Sequence, residues 1–278
     1  MGNGPLTTRV FTSPTHTFGR RGRTFSPTTS TLIAGRSEAV LVDAQFINDD
    51  VAALGDLIEN TGKTLTAIYV THGHADHYFG LGQLMRRFPE ARPLAAKTVA
   101  DHIGHDLDNA VRDWTAMFGD TVTLPTALPA PLDNDVIDLE GHELRVVEVG
   151  QGDIASSTVL HIPSIDTVIA GDVAYNEIHP MLSFTGPEGW AAWIASLDRI
   201  EDLQPRMVVA GHKKPEADDR DVQSIVQGTR AYIHDFRDSV AAVSTADELV
   251  ERMTELYPRH GNLTTLEVSA RAAFARQP

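Results

Sequence analysis

The stretch from Tyr69 to Phe79 reads Y-V-T-H-G-H-A-D-H-Y-F, and it places His72, His74, Asp76 and His77 within six positions. Imidazole and carboxylate together are a donor set for Zn²⁺, and they also suit Fe or Mn. Gly73 and Ala75 are small, so the backbone between the histidines can turn tightly and aim several side chains into one pocket. A solvated polar loop has no need of three imidazoles beside a carboxylate. A metal requires further ligands from distant positions, and two apolar runs end in suitable residues. V-I-A-G-D stops at Asp172 and M-V-V-A-G-H stops at His212. A Gly-Asp after a strand is by itself usually a turn; beside the histidine cluster, the two strand ends complete a ligand set.

The elements that must hold these residues are legible from apolar period and turn signals. Leu65 to Val70 reads as a buried strand with the cluster at its C-terminal end, where ligands gather on open α/β sheets. Before it, T-L-I-A-G and A-V-L-V-D-A flank Gly35-Arg36-Ser37-Glu38, a hairpin signal. Asp49–Asn60 and Phe79–Phe88 carry helical stripes, and Pro89 stops the second. Pro93–Ala96 reads as a strand, Lys97–Phe118 as a helix, and a Pro-rich loop follows. Strands are expected at Val136–Leu139, Glu143–Val149, Thr158–Ile162, Thr167–Ala170 and Met207–Ala210, with a helix at Glu188–Ile200. From Glu216 the pattern is helical almost to the end, with Thr245 or Ser244 as the cap of the helix that Pro258 ends. Residues 1–29 show no period and read as an arm or irregular lead-in. There is no internal repeat, and the mixture suggests two sheets with helices outside.

Composition narrows the partners. A net charge of −15 argues against nucleic acid, whose phosphates need clustered Lys and Arg. The small basic cluster Arg20, Arg21 and Arg23 reads as part of a solvated arm, and Lys213-Lys214 as a solvated pair. There is no cysteine, which excludes disulfides, thiolate nucleophiles and Cys-type zinc sites. No stretch approaches a membrane span and no apolar leader is visible, so a cytoplasmic location is the default expectation.

H-G-H-A-D-H resembles the H-x-H-x-D-H signature of the metallo-β-lactamase fold superfamily. Asp172 resembles that family's bridging aspartate, His212 its last histidine, and Asp43 its strand-end aspartate. The likeness covers roughly residues 30–215, judged by where matching strand ends fall. It implies an α/β fold, an αββα metallo-β-lactamase-like sandwich (residues 30–215), carrying a helical C-terminal extension (216–278) and preceded by an arm (1–29). It also implies two zinc ions per chain: one on His72 and His74, the other on Asp76, His77 and His212, with Asp172 bridging. The family normally supplies one more histidine, and Gln151 stands in its place, in V-V-E-V-G-Q-G-D. Three readings remain open: Gln151 is a ligand of a weakened first site, Glu148 or Asp153 replaces it, or a single metal remains. His142 and His161 read as structural or exposed.

A metal pair can hold a hydroxide at neutral pH and polarise a carbonyl, which is hydrolysis without a Ser or Cys nucleophile. Asp76 is expected to orient the attacking water. Tyr175, three residues after Asp172, resembles a tyrosine of the lactonase branch that serves the developing oxyanion, a role that suits a phenol O–H. His179 ranks below it. Phe46, Trp114, Phe118, Ile178, Met181, Leu182 and Phe184 are candidate borders of the site, pointing to an apolar acyl or aromatic small molecule. Trp190 and Trp193 read as core. The leading expectation is a carboxylic ester or lactone hydrolase. Thioester hydrolysis resembling glyoxalase II, β-lactam hydrolysis, a more distant iron-dependent oxygenase on the same fold, and a non-catalytic binding module with a degraded site are the alternatives. The C-terminal helices are expected to form a homodimer contact or a pocket wall.

Overall fold

A computed structural model describes residues 4–19 and 22–276. In chain order the elements are β1 (Thr7–Thr12), β2 (His16–Phe18), β3 (Arg23–Phe25), β4 (Thr29–Ala34), β5 (Glu38–Val42), α1 (Asn48–Glu59), β6 (Thr64–Val70), α2 (Ala75–Tyr78), α3 (Leu81–Arg87), β7 (Arg92–Ala95) and α4 (Lys97–Phe118). There follow β8 (Ala130–Pro131), β9 (Val136–Leu139), β10 (His142–Gln151), β11 (Ala155–Ile162), β12 (Thr167–Asn176), α5 (Pro187–Asp202), β13 (Met207–Lys213), α6 (Val222–Ala242), α7 (Ala246–Leu256) and α8 (Leu263–Ala275).

Two mixed sheets stack face to face. One runs β1-β4-β5-β6-β7-β8 and the other β13-β12-β11-β10-β9. Their inner faces share one core, in which Ile33, Val40 and Tyr69 of the first sheet meet Leu144, Leu160 and Ile169 of the second. The outer face of the first sheet is covered by α1 and α3, through Leu54 and Leu84 among others, while α4 runs along the sandwich edge between β8 and, in the second sheet, β11. The outer face of the second is covered by α5–α8, through Trp193, Ile233, Met253 and Leu266. The layers are therefore helix, sheet, sheet, helix, the sandwich expected. Burial on both faces explains why β6 and β12 read as unbroken apolar runs. Among the described residues no helix is long and apolar enough to cross a membrane.

Four expectations are corrected. Residues 7–12 are not an irregular lead-in: β1 pairs antiparallel with β4, from Thr7↔Ala34 to Thr12↔Thr29. On this edge strand only Val10 and Phe11 are apolar; they are adjacent and half-buried, so no alternating period betrays it. Arg20 and Arg21 lie outside the described residues, but Arg23 belongs to the hairpin β2–β3 rather than to an irregular arm, with its side chain exposed. Lys213 is not solvated: it is buried, with Nζ 2.7 Å from each Asp219 carboxylate oxygen. The strands carrying Asp172 and His212 also do not stop at the Gly-Asp and Gly-His pairs. β12 and β13 run on in parallel to Tyr175↔His212 and Asn176↔Lys213, through register shifts on either side of Gly171. That glycine sits at φ +50, a left-handed bulge position, and such a bulge re-aims the side chain beside it.

Candidate metal centre

The site lies at one edge of the sandwich, where β6, β10, β12 and β13 end side by side. β6 delivers Thr71 and His72, and the short turn α2 presents Asp76 and His77 immediately afterwards. Two groups result. His72, His74, Asp153 and Asp172 bring ligand-type atoms within 4.8 Å of one another, and Asp76, His77 and His212 do the same beside them. Asp172 faces both: its Oδ1 is 3.2 Å from His77 Nε2, and its Oδ2 is 3.1 Å from His212 Nε2 and 3.9 Å from His72 Nε2.

Hydrogen bonds behind the rings fix which nitrogen looks inward. Asp43 Oδ2 accepts from His77 Nδ1 at 2.8 Å, and the Pro27 carbonyl accepts from His212 Nδ1 at 3.0 Å. An acceptor-only partner leaves the proton on Nδ1 and frees the Nε2 lone pair. Asp43 also takes the Thr71 N–H at 2.9 Å and the Thr71 hydroxyl at 2.9 Å, and that hydroxyl oxygen lies 3.0 Å from His72 Nδ1. Thr28 Oγ1 donates to Asp76 Oδ2 at 3.1 Å.

The inward atoms are left without partners. His72 Nε2, His77 Nε2, Asp153 Oδ2 and Asp172 Oδ1 are buried and make no hydrogen bond, although Asp153 Oδ2 is only 2.6 Å from His74 Nδ1. Orphaned buried groups are costly, and here they converge, with imidazole and carboxylate donors that suit divalent zinc, iron or manganese. The electrostatics agree. Burial and the neighbouring His77 push His72 well below its ordinary value. Burial raises Asp153 to about 6, while the same aspartate carries His74 up to about 9 against the pull of burial. Burial would also raise Asp172, yet His212, His77 and His72 outweigh it and hold the carboxylate well down.

Gln151 stands outside this arrangement. Its amide nitrogen donates to the Gly152 carbonyl at 3.0 Å, and its own N–H lies 3.3 Å from Ser196 Oγ. The irregular register that ends β10 at Gly150 and Gln151 carries the chain past the glutamine, and the buried Asp153 faces the histidines instead. Glu148 is turned to Thr98, whose hydroxyl donates to it at 3.1 Å. His142 bonds the Gly4 carbonyl, and His161 lies on β11 away from the cluster.

A cavity of ≈ 250 Å³ opens from the centre. His74, Asp76, Asp153, Asp172 and His212 form its floor, with Tyr175 beside them. Tyr175 is buried, stacks on His212 at 5.4 Å, and donates its O–H to Asp172 Oδ2 at 2.7 Å. Burial, then the Asp172 charge, pushes the phenol well above its ordinary value, so it stays protonated. The walls are apolar: Phe25, Trp114, Met117, Met181 and Phe184, closed on one side by Val268 of α8. Of the expected borders, Phe46, Phe118, Ile178 and Leu182 do not line the cavity; Phe46 is packed beneath it against Phe25 and Trp114. His179 is buried elsewhere, its Nδ1 2.8 Å from the Tyr232 hydroxyl. The hairpin β2–β3 is a wall element that sequence reasoning missed, because it carries no ligand and no apolar period.

Residues 23–212 match the family model of the metallo-beta-lactamase superfamily. The chain therefore belongs to that superfamily. Among curated relatives it is 25% identical over 259 residues to a linear primary-alkylsulfatase of Pseudomonas sp. (strain ATCC 19151), covering 77% of this chain and 47% of the alkylsulfatase. It is 32% identical over 104 residues to a hydroxyacylglutathione hydrolase of Synechococcus sp. (strain CC9902), covering 37% of this chain and 31% of that protein. The chain thus spans half or less of the length of these relatives. Similar solved structures include a metallo-beta-lactamase family protein of Thermus thermophilus, with a TM-score of 0.62, 21% identity and coverage of 88% and 86% of the two chains. A metallo-beta-lactamase of Pontibacter korlensis also scores 0.62, at 18% identity and coverage of 84% and 98%. Likeness at that identity speaks for the fold alone.

Proposed function

We propose that this protein is a metal-dependent hydrolase that cleaves a carboxylic ester or lactone with an apolar acyl or aromatic part. One observation carries the reading: two buried donor groups sharing Asp172 form the floor of a cavity whose walls are aromatic and whose edge holds a protonated phenol. His72, His74, Asp153 and Asp172 would hold one divalent ion, and Asp76, His77 and His212, with the shared Asp172, the other. Zinc is the ion proposed, with iron or manganese compatible with the same donors. Such a pair, when bound, lowers the pKa of water and polarises a carbonyl oxygen.

The chain's own groups do the rest. Asp43 and the Pro27 carbonyl lock the tautomers of His77 and His212, so neither of those imidazoles must reorient when a substrate arrives. Asp76, held by Thr28, orients the incoming water. Tyr175 keeps Asp172 in register in the resting site and lies in the cavity wall, and its single O–H serves the oxygen on which negative charge develops by turning from Asp172 to it. The aromatic walls bury the apolar portion and exclude bulk water.

Elemental analysis, with a panel of lactones, aryl esters, thioesters, β-lactams and alkyl sulfates, tests the proposal. Ester or lactone turnover abolished by chelation and restored by zinc supports it. A preference for thioesters or alkyl sulfates, the substrates that the names of the two curated relatives suggest, would replace the substrate class. Absence of both metal and turnover would favour a binding module.

A further inference from the structure

Arg23 is the one Lys or Arg among the described residues lining the catalytic cavity. Its position is not accidental. On β3 it stands two residues from Phe25, so both side chains leave the same face of the strand. Across the hairpin its register partner is Phe18, which lines the same cavity. The strand is pinned in place, since the Thr24 N–H donates to Thr264 Oγ1 of α8 at 3.1 Å. Phe25 is fixed against Trp114 at 5.3 Å and Phe46 at 5.1 Å. The floor of the cavity is buried, whereas Arg23 is exposed, so the cation sits at the rim. Among the described residues no carboxylate lies within 4.0 Å of its guanidinium, although the other cationic side chains near the site, Lys213 and Lys214, face Asp219 and Glu177.

A guanidinium at the open end of an aromatic slot, in a chain of net charge −15, is a poor arrangement for a neutral substrate and a good one for an anion. We propose that Arg23 is a specificity-determining residue, receiving an anionic group at the far end of an apolar acyl chain whose ester bond lies at the metal centre. The substrate class is thus an amphiphile: a hydrolysable carbonyl, an apolar stretch against Phe25, Trp114 and Phe184, and a terminal carboxylate or comparable compact anion. The inference rests on the hydrolase reading for the carbonyl end and on Arg23 alone for the anionic end.

Two arms keep those apart. In the first, the metal-loaded protein hydrolyses para-nitrophenyl hexanoate and the para-nitrophenyl monoester of adipic acid, which differ in a terminal carboxylate. The expected result is a higher kcat/KM for the adipate ester. Its ratio over the hexanoate ester falls about tenfold in Arg23→Ala, mostly through KM, recovers largely in Arg23→Lys and inverts in Arg23→Glu. In the second arm, which needs no turnover, octanesulfonate and octanol are titrated against the same proteins while tryptophan fluorescence is followed, Trp114 being the one of the three tryptophans that lines the cavity. Arg23→Ala weakens the sulfonate about tenfold relative to the alcohol. A ratio unmoved by Arg23→Ala and Arg23→Glu in both arms overturns the proposal. Ester inactivity with an Arg23-dependent sulfonate titration would fell the hydrolase reading while leaving the anion subsite standing.

Discussion

Asp153, not Gln151, faces the histidines, and the difference is measurable. Asp153→Ala should remove the first ion, because a buried carboxylate opposite His74 and His72 is lost and nothing nearby replaces it. Gln151→His should leave metal content and affinity as they are, because that side chain is turned to the Gly152 carbonyl. A gain of metal in Gln151→His would show that the loop repacks and brings position 151 to the site. Tyr175→Phe should lower kcat roughly 10- to 100-fold while metal content stays full, as expected for losing one donor to developing charge. Equal turnover would take the phenol out of the chemistry. Behind the ligands, Asp43→Ala should weaken the ion on His77 by roughly 10- to 100-fold, the usual cost of removing an outer partner of a ligating imidazole. Competition with a colorimetric chelator measures it.

The elements set those residues by bulges and close approaches rather than by simple strand ends. Gly211 shows this. A Cβ there would meet Asp172 Oδ1 at 2.0 Å and the Gly171 backbone at 2.7 Å. Gly211→Ala must therefore push β13 from β12 or rotate the carboxylate shared by both groups, and it should cost metal content before it costs the fold. Near-unchanged far-ultraviolet circular dichroism with lost metal is the expected pair of readings; retained metal would show that Asp172 has room to move. The same elements show what a sequence can and cannot reveal. The strands β5, β6, β12 and β13 are largely apolar on both faces, and their runs, with the Thr245 cap of α7, were legible, although β12 and β13 continue past the expected ends. β1 was not, because its two apolar residues, Val10 and Phe11, are adjacent and only half-buried, so they make no alternating stripe. Nor was it decidable that Asp153 and not Gln151 faces the histidines, because that depends on the register shift at the end of β10, which no side-chain period encodes. Arg23 looked like part of a charge run until pairing with Phe18 turned it toward the cavity.

At the scale of the whole molecule, acid should loosen the protein through its helical layer as well as through the metal centre. The second core, under α6–α8, encloses His179, which is 2% exposed and lies against Tyr232, with His260 stacked on that tyrosine at 5.7 Å. Burial, then the neighbouring His260, pulls His179 down to about 3, and burial pulls His260 down to about 4. In the unfolded chain both would take up a proton near pH 6.5. Below that the unfolded state binds more protons than the native one, so stability is complete above about pH 6.5 and declines as pH falls toward the folded values. The slope for a fully suppressed site is about 1.4 kcal/mol per pH unit, so His179 alone should cost roughly 2 kcal/mol between pH 6.5 and 5. His260 is partly open to water and adds less. Urea titrations of chelated protein across that range isolate this effect from metal loss. His179→Gln should flatten the decline by about the same amount, since a glutamine offers Tyr232 a partner without a proton to suppress. The metal-site histidines cannot mimic that result, because they are unchanged in the variant; an identical slope in both proteins would mean that His179 protonates freely through local opening of the α6–α8 layer.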